Sequence, residues 1–165
     1  MPIPTWSVGQ VLASADVNSW FVPLAAVRTA GQSVTSSTTL VNDNTLFLPL
    51  AASSTYIWLA FLDYEAANGG DIKYQWTVPT GGVLRGGSSY MALTGVAVSW
   101  QEFNAAAVSS ARGNGAGNGQ SAVAYGSVTT GVTAGNLQTQ WAQNTSSATA
   151  TIMHLGSFII AWHVA

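Results

Sequence analysis

His154 and His163 stand nine residues apart near the end of the chain. They are its two histidines, so general acid–base or nucleophilic chemistry would have to use them or the six carboxylates. A nucleophilic triad needs a Ser or Cys beside a His that an acid orients. The chain has no cysteine, and no Gly-x-Ser-x-Gly lifts a serine onto a nucleophile elbow. The odd spacing puts the two imidazoles on opposite faces of one final strand, where each reads as an ordinary strand residue.

Asp63, Glu65 and Asp71 flank one turn. Paired acids can hydrolyse glycosides, and oxygen ligands can hold Ca²⁺. Their spacing fits no cation loop, and Lys73 is near enough to neutralise one of them. A solvated turn with one weak ion pair is the expectation. The run "GNGAGNG" lacks the Lys-Ser/Thr of a phosphate loop, and no helix follows it. No catalytic, cofactor-binding or metal-ligating residue is expected. What remains is aromatic: Tyr90, Trp100, Phe103 and Tyr125 border that Gly-rich run. Aromatic faces beside Asn and Gln can stack on sugars, and core burial is the alternative. Tyr90 and Trp100, with Asn114 and Asn118 of the run itself, form the candidate host-contact loop, with a host-surface glycan as its candidate partner.

Ten of the 165 residues are charged, 6 % of the chain, and the formal net charge is −2. A typical soluble domain carries roughly 25 %. So few basic groups exclude a nucleic-acid groove. With seven Trp and so little charge, a free monomer would be poorly protected against association. Burial of its surface against other subunits is the expected remedy, and a neutral, Ser/Thr-coated secreted domain is the alternative. No apolar run reaches the roughly 18 residues that span a bilayer, so no membrane insertion is expected. "MPIPTWSVGQ" lacks the basic and apolar regions of a signal peptide.

The elements that must carry these residues are strands. One helix is expected near the start, with Ser14 as N-cap, Asp16 in the first turn and Pro23 closing it. Val17, Trp20, Phe21 and Leu24 recur along it at helical spacing. From residue 25 onward the pattern alternates. In "TYIWLAFLDYEA" (55–66) both faces are largely apolar, as in a strand buried between layers. "DIKYQWTVP" (71–79) places Ile72, Tyr74, Trp76 and Val78 opposite Lys73, Gln75 and Thr77. "NLQTQWAQNTS" (136–146) does the same with Leu137, Thr139 and Trp141. Residues 148–164 read as one long strand with a bulge at Gly156. Turn residues at 42–44, 67–71, 79–82, 129–136 and 144–147 separate the runs, and 111–120 reads as a mobile tip. These spacings predict an all-β fold, an antiparallel β-sandwich or jelly roll of roughly eight to ten strands over 25–165. A short N-terminal helical anchor, 1–24, precedes it.

The segment "TWSVGQVLASADVNSWF" resembles the N-terminal stretch of many small phage tail and fibre proteins. Those follow a Trp-Thr/Ser-x-Gly-x-Val-Leu-Thr/Ala-x-x-Asp-Val/Leu-Asn pattern, matched here by Trp6, Gly9, Val11, Leu12, Asp16, Val17 and Asn18. "FLDYEA…DIKYQWTVPTGGVLR" and "TAGNLQTQWAQNTSSATATIMHLGSFIIAWHV" resemble structural proteins of actinobacterial phages and prophages. Their β-domain is similar in pattern to trimeric jelly rolls of the tumour-necrosis-factor and complement-C1q type. The resemblance implies a non-enzymatic virion protein, made in the host cytoplasm, in a tail- or fibre-associated appendage. A capsid decoration protein or head fibre is the alternative, and a carbohydrate-active virion enzyme comes last. It further implies a homotrimer. Phe158, Ile160 and Trp162 of the C-terminal strand are its expected subunit interface. Trp6, Val11, Leu12, Val17, Trp20 and Phe21 are expected to dock on other virion proteins.

Overall fold

The computed structural model describes residues 7–11, 13, 14, 18, 22–94, 97–104 and 107–164. The expected helix falls largely on residues outside this set. Within it the chain forms twelve strands: β1 (Leu24–Val27), β2 (Gln32–Val34), β3 (Val41–Leu50), β4 (Thr55–Glu65), β5 (Ile72–Thr77), β6 (Val83–Met91), β7 (Val98–Asn104), β8 (Ser109–Ala111), β9 (Gln120–Thr129), β10 (Gly135–Gln143), β11 (Thr151–Met153) and β12 (Phe158–His163). All pairings are antiparallel. The eight-stranded sheet runs β1-β12-β4-β9-β6-β7, with the β2/β11 pair attached to β4, and the second sheet runs β3-β10-β5-β8.

Without the short β2/β11 pair and the β6–β7 hairpin, the remaining eight strands wind as a jelly roll. Numbered along the chain, they stand in the orders 1-8-3-6 and 2-7-4-5. The hairpin is an insertion that widens the larger sheet beyond β9. The strand count therefore exceeds the expected eight to ten, because the short β2/β11 pair and the β6–β7 hairpin add four strands to the eight of the jelly roll.

Alternation decides which side chains meet between the sheets. Tyr56, Trp58, Ala60, Leu62 and Tyr64 of β4 are buried, as are Ile72, Tyr74 and Trp76 of β5 and Leu137 and Trp141 of β10. Trp58 and Trp76 bridge the two sheets with ring centroids 5.1 Å apart, and Phe103 stacks on Trp76 at 5.3 Å. The second face of β4 is not buried as expected: Ile57 is 49 % exposed, because no third layer among the described residues covers this sheet.

Three sequence expectations differ locally. Residues 42–44 form no turn between strands. They open a bulge inside β3, where pairing jumps from Gln138↔Phe47 to Gln140↔Asn42. The segment 148–164 is two strands, split by a turn with Gly156 at φ +88°. His154 consequently lies in that turn, and only His163 lies in the last strand.

Arg28 and Asp43 form a fully buried ion pair, Nη1 to Oδ1 at 2.6 Å. Asp43 Oδ1 also accepts from the backbone N–H groups of Thr45 and Leu46, and its Oδ2 accepts from Trp141 Nε1. The Arg28 Nε donates to the carbonyl of Ala30. One carboxylate thus satisfies the donors exposed by the bulge and ties the strap after β1 to the opposite sheet.

Burial raises the phenols of Tyr64 and Tyr74 well above the ordinary range, and the Asp71 carboxylate adds to the effect at Tyr64. Below pH 10 both are neutral whether the chain is folded or not. Above about 10, the unfolded chain ionises while the folded one does not, so stability falls as pH rises. Thermal melts between pH 8 and 11 should show a falling Tm. In Tyr64→Phe/Tyr74→Phe the decline above pH 10 should be shallower.

Candidate functional site

The inserted hairpin carries a concavity of about 610 Å³ on the outward face of the eight-stranded sheet. Its floor is backbone. Gly86 pairs with Gly126 across β6 and β9. A Cβ on Gly86 would stand 2.2 Å from the Tyr125 carbonyl oxygen, and one on Gly126 would stand 2.1 Å from that of Arg85. Glycine is required at both positions because the two backbones approach too closely for a side chain.

One wall is aromatic. The Trp100 indole lies against Gly87, where a Cβ would meet its Cζ2 at 2.2 Å. Trp100 is 51 % exposed and Tyr125 48 % exposed, with ring centroids 5.3 Å apart and planes tilted by 41°. Around them stand Arg85, Glu102 and Asn104, all exposed. Arg85 and Asn104 are register partners, as are Gly87 and Glu102. None of these three side chains makes a hydrogen bond or ion pair among the described residues.

The same face continues toward β1 as an apolar sheet surface. Register places Val27, Phe158, Phe61 and Val123 in one row, and Ile160, Leu59 and Tyr125 in the next. Trp162 and Ile57 follow in a third. Phe61 and Phe158 stack at 5.9 Å. Phe158, Ile160 and Trp162, the expected interface residues, thus all lie on this face, beside β4 side chains that the sequence reading assigned to the interior.

The expected host-contact group is not one surface. Tyr90 faces inward, edge-on to Tyr74, and its hydroxyl donates to Gln101 Oε1 at 2.8 Å. Trp100 faces outward from the neighbouring strand. Asn114 and Asn118 are exposed, but their segment is fastened to the end of β4 and the turn after it. The Gly113 N–H donates to Asp71 Oδ1, Gly115 N–H to the Ala66 carbonyl and Gly117 N–H to Glu65 Oε2. The segment is pinned at three points, where a free tip was expected.

The acidic turn is likewise rearranged. Asp71 is buried and holds Gly113, while Glu65 approaches His154 Nε2 at 3.5 Å. Lys73 projects from the other face of β5 and makes no ion pair among the described residues. No group of three His, Asp or Glu side chains that could hold a metal ion occurs among the described residues. Of the expected docking residues, Val11 is 89 % exposed. Trp6, Leu12, Val17, Trp20 and Phe21 lie outside the described residues.

Sequence reasoning missed the cleft as a unit. Its one legible signal was glycine inside strand pattern, at 86–87 and 126, which marks a close approach or a bulge. The parity that brings Arg85, Glu102 and Asn104 beside Trp100 depends on hairpin register.

The sequence matches no protein-family model and no curated protein. Among solved structures, the chain has similarity to the infectious bursal disease virus VP2 subviral particle, at 13 % identity and a TM-score of 0.23. The match covers 99 % of this chain and 46 % of that one. The Gx strain of the same virus gives 13 % identity and a TM-score of 0.23, covering 99 % and 42 %. The chain spans less than half the length of these viral proteins.

Proposed function

We propose that the chain is a non-enzymatic structural protein of a phage virion, a tail- or fibre-associated appendage whose β-domain assembles as a homotrimer. The observation that carries the reading is the uncovered apolar face of the eight-stranded sheet. Half-exposed Val27 and Ile57 lie there with Phe158, Ile160 and Trp162, on a chain with only ten charges. Soluble monomers rarely expose a contiguous apolar patch beyond a few hundred Å². A threefold arrangement of copies would cover it, and the resemblance of the β-domain to trimeric jelly rolls supports that number. The N-terminal pattern supports a role for residues 1–24 in holding the particle.

Light scattering at micromolar concentration should give three times the chain mass. Ile160→Glu, which places a charge at the centre of the face, should shift it to monomer while the circular dichroism stays that of a β protein. A wild-type monomer would overturn the trimer. Deleting residues 1–24 should leave a folded oligomer that no longer joins virions, and incorporation of the truncated protein would refute the docking role.

A further inference from the structure

We infer that the cleft on the β6–β7 hairpin is a saccharide site, in which the Trp100 indole carries the apolar face of a pyranose ring. Arg85 and Asn104 would donate to its hydroxyl oxygens, and Glu102 would accept from its hydroxyl groups. This goes beyond the virion reading and stands without it.

Four observations converge. The volume, about 610 Å³, lies within the about 300–1,000 Å³ usual for ligand clefts. The backbone of Gly86 and Gly126 lines the cleft and brings no side chain into it, while the Trp100 indole covers Gly87. Trp100 packs against Gly87 yet leaves half its surface free, which makes it a ready platform for an apolar ring face. Polar groups of every needed kind surround it: a cation, an anion and an amide, all without partners among the described residues. One positive and one negative charge give no net field to select a phosphate or a metal cation. A neutral ring with one C–H face and a rim of hydroxyls matches both the aromatic wall and the polar edge.

Saturation-transfer NMR with the methyl pyranosides of glucose, galactose, mannose and N-acetylglucosamine, and with their disaccharides, tests the site. At least one sugar should receive saturation on its ring C–H protons from the wild-type protein. Trp100→Ala should weaken that binding by about tenfold or more, the loss of one stacking anchor. Trp100→Phe keeps the cover on Gly87 and should fall between the two, which guards against a folding artefact. Glu102→Gln should weaken binding with the melting temperature unchanged, and Asn118→Ala, outside the cleft, should leave it as it is. The inference is overturned if no sugar of the panel is saturated, or if Trp100→Ala and Trp100→Phe leave binding intact. It is also overturned if Trp100→Ala changes the mass in light scattering, which would make the cleft a contact between copies.

Discussion

Asp43→Ala should lower the stability of the fold by about 3–5 kcal/mol, because it strands the buried Arg28 guanidinium without its counter-charge. At this chain length that is a fall in Tm of about 10 °C or more. Three further donors lose their acceptor at the same time: the N–H groups of Thr45 and Leu46 and the indole N–H of Trp141. Urea unfolding of a double-mutant cycle separates the two contributions. Arg28→Met/Asp43→Asn removes the charge imbalance and keeps an acceptor for the bulge, so it should be more stable than Asp43→Ala. A loss below about 1 kcal/mol in Asp43→Ala would show that the pair contributes no more than an exposed ion pair does.

Gly126→Ala is expected to be the next most damaging change. A methyl group there would sit 2.1 Å from the Arg85 carbonyl oxygen, and neither backbone can yield without parting β6 from β9. Overpacking of this kind costs about 1–3 kcal/mol, and more where only backbone can move. Amide exchange should speed up on β6 and β7 before it does on β4, since the hairpin hangs on that one junction. Gly119→Ala supplies the comparison. Its Cβ would meet nothing closer than 3.6 Å and its φ is not left-handed, so it should be close to neutral. Equal effects at the two positions would contradict the close approach.

Local alternation was readable from the chain alone wherever one face is polar. Lys73, Gln75 and Thr77 separate Ile72, Tyr74 and Trp76 in the sequence as they do in β5. Residues 55–65 were harder, because both faces are apolar, and apolarity alone does not distinguish a covered face from one awaiting a partner. The Arg28–Asp43 pair left no local signal. Two of ten charges look like surface until a bulge 15 residues downstream turns one toward the other. Tyr90 and Trp100 looked like neighbours, yet Tyr90 pairs with Ser99 and Trp100 with Ser89, and a shift of one residue in a hairpin reverses every face.

Leu24 pairs with Ala161, and Val164 closes onto Thr55, so the chain enters and leaves the sandwich at one pole. The turns at 28–31, 66–71 and 154–157, with the pinned segment 113–119, gather at the other. Leu24 and Val164 therefore share one pole of the sandwich, and these turns form the opposite one. A reporter joined beyond Val164 would sit at the pole where β1 begins, beside Leu24. One inserted at the 154–157 turn would sit at the opposite pole, away from Leu24 and Val164.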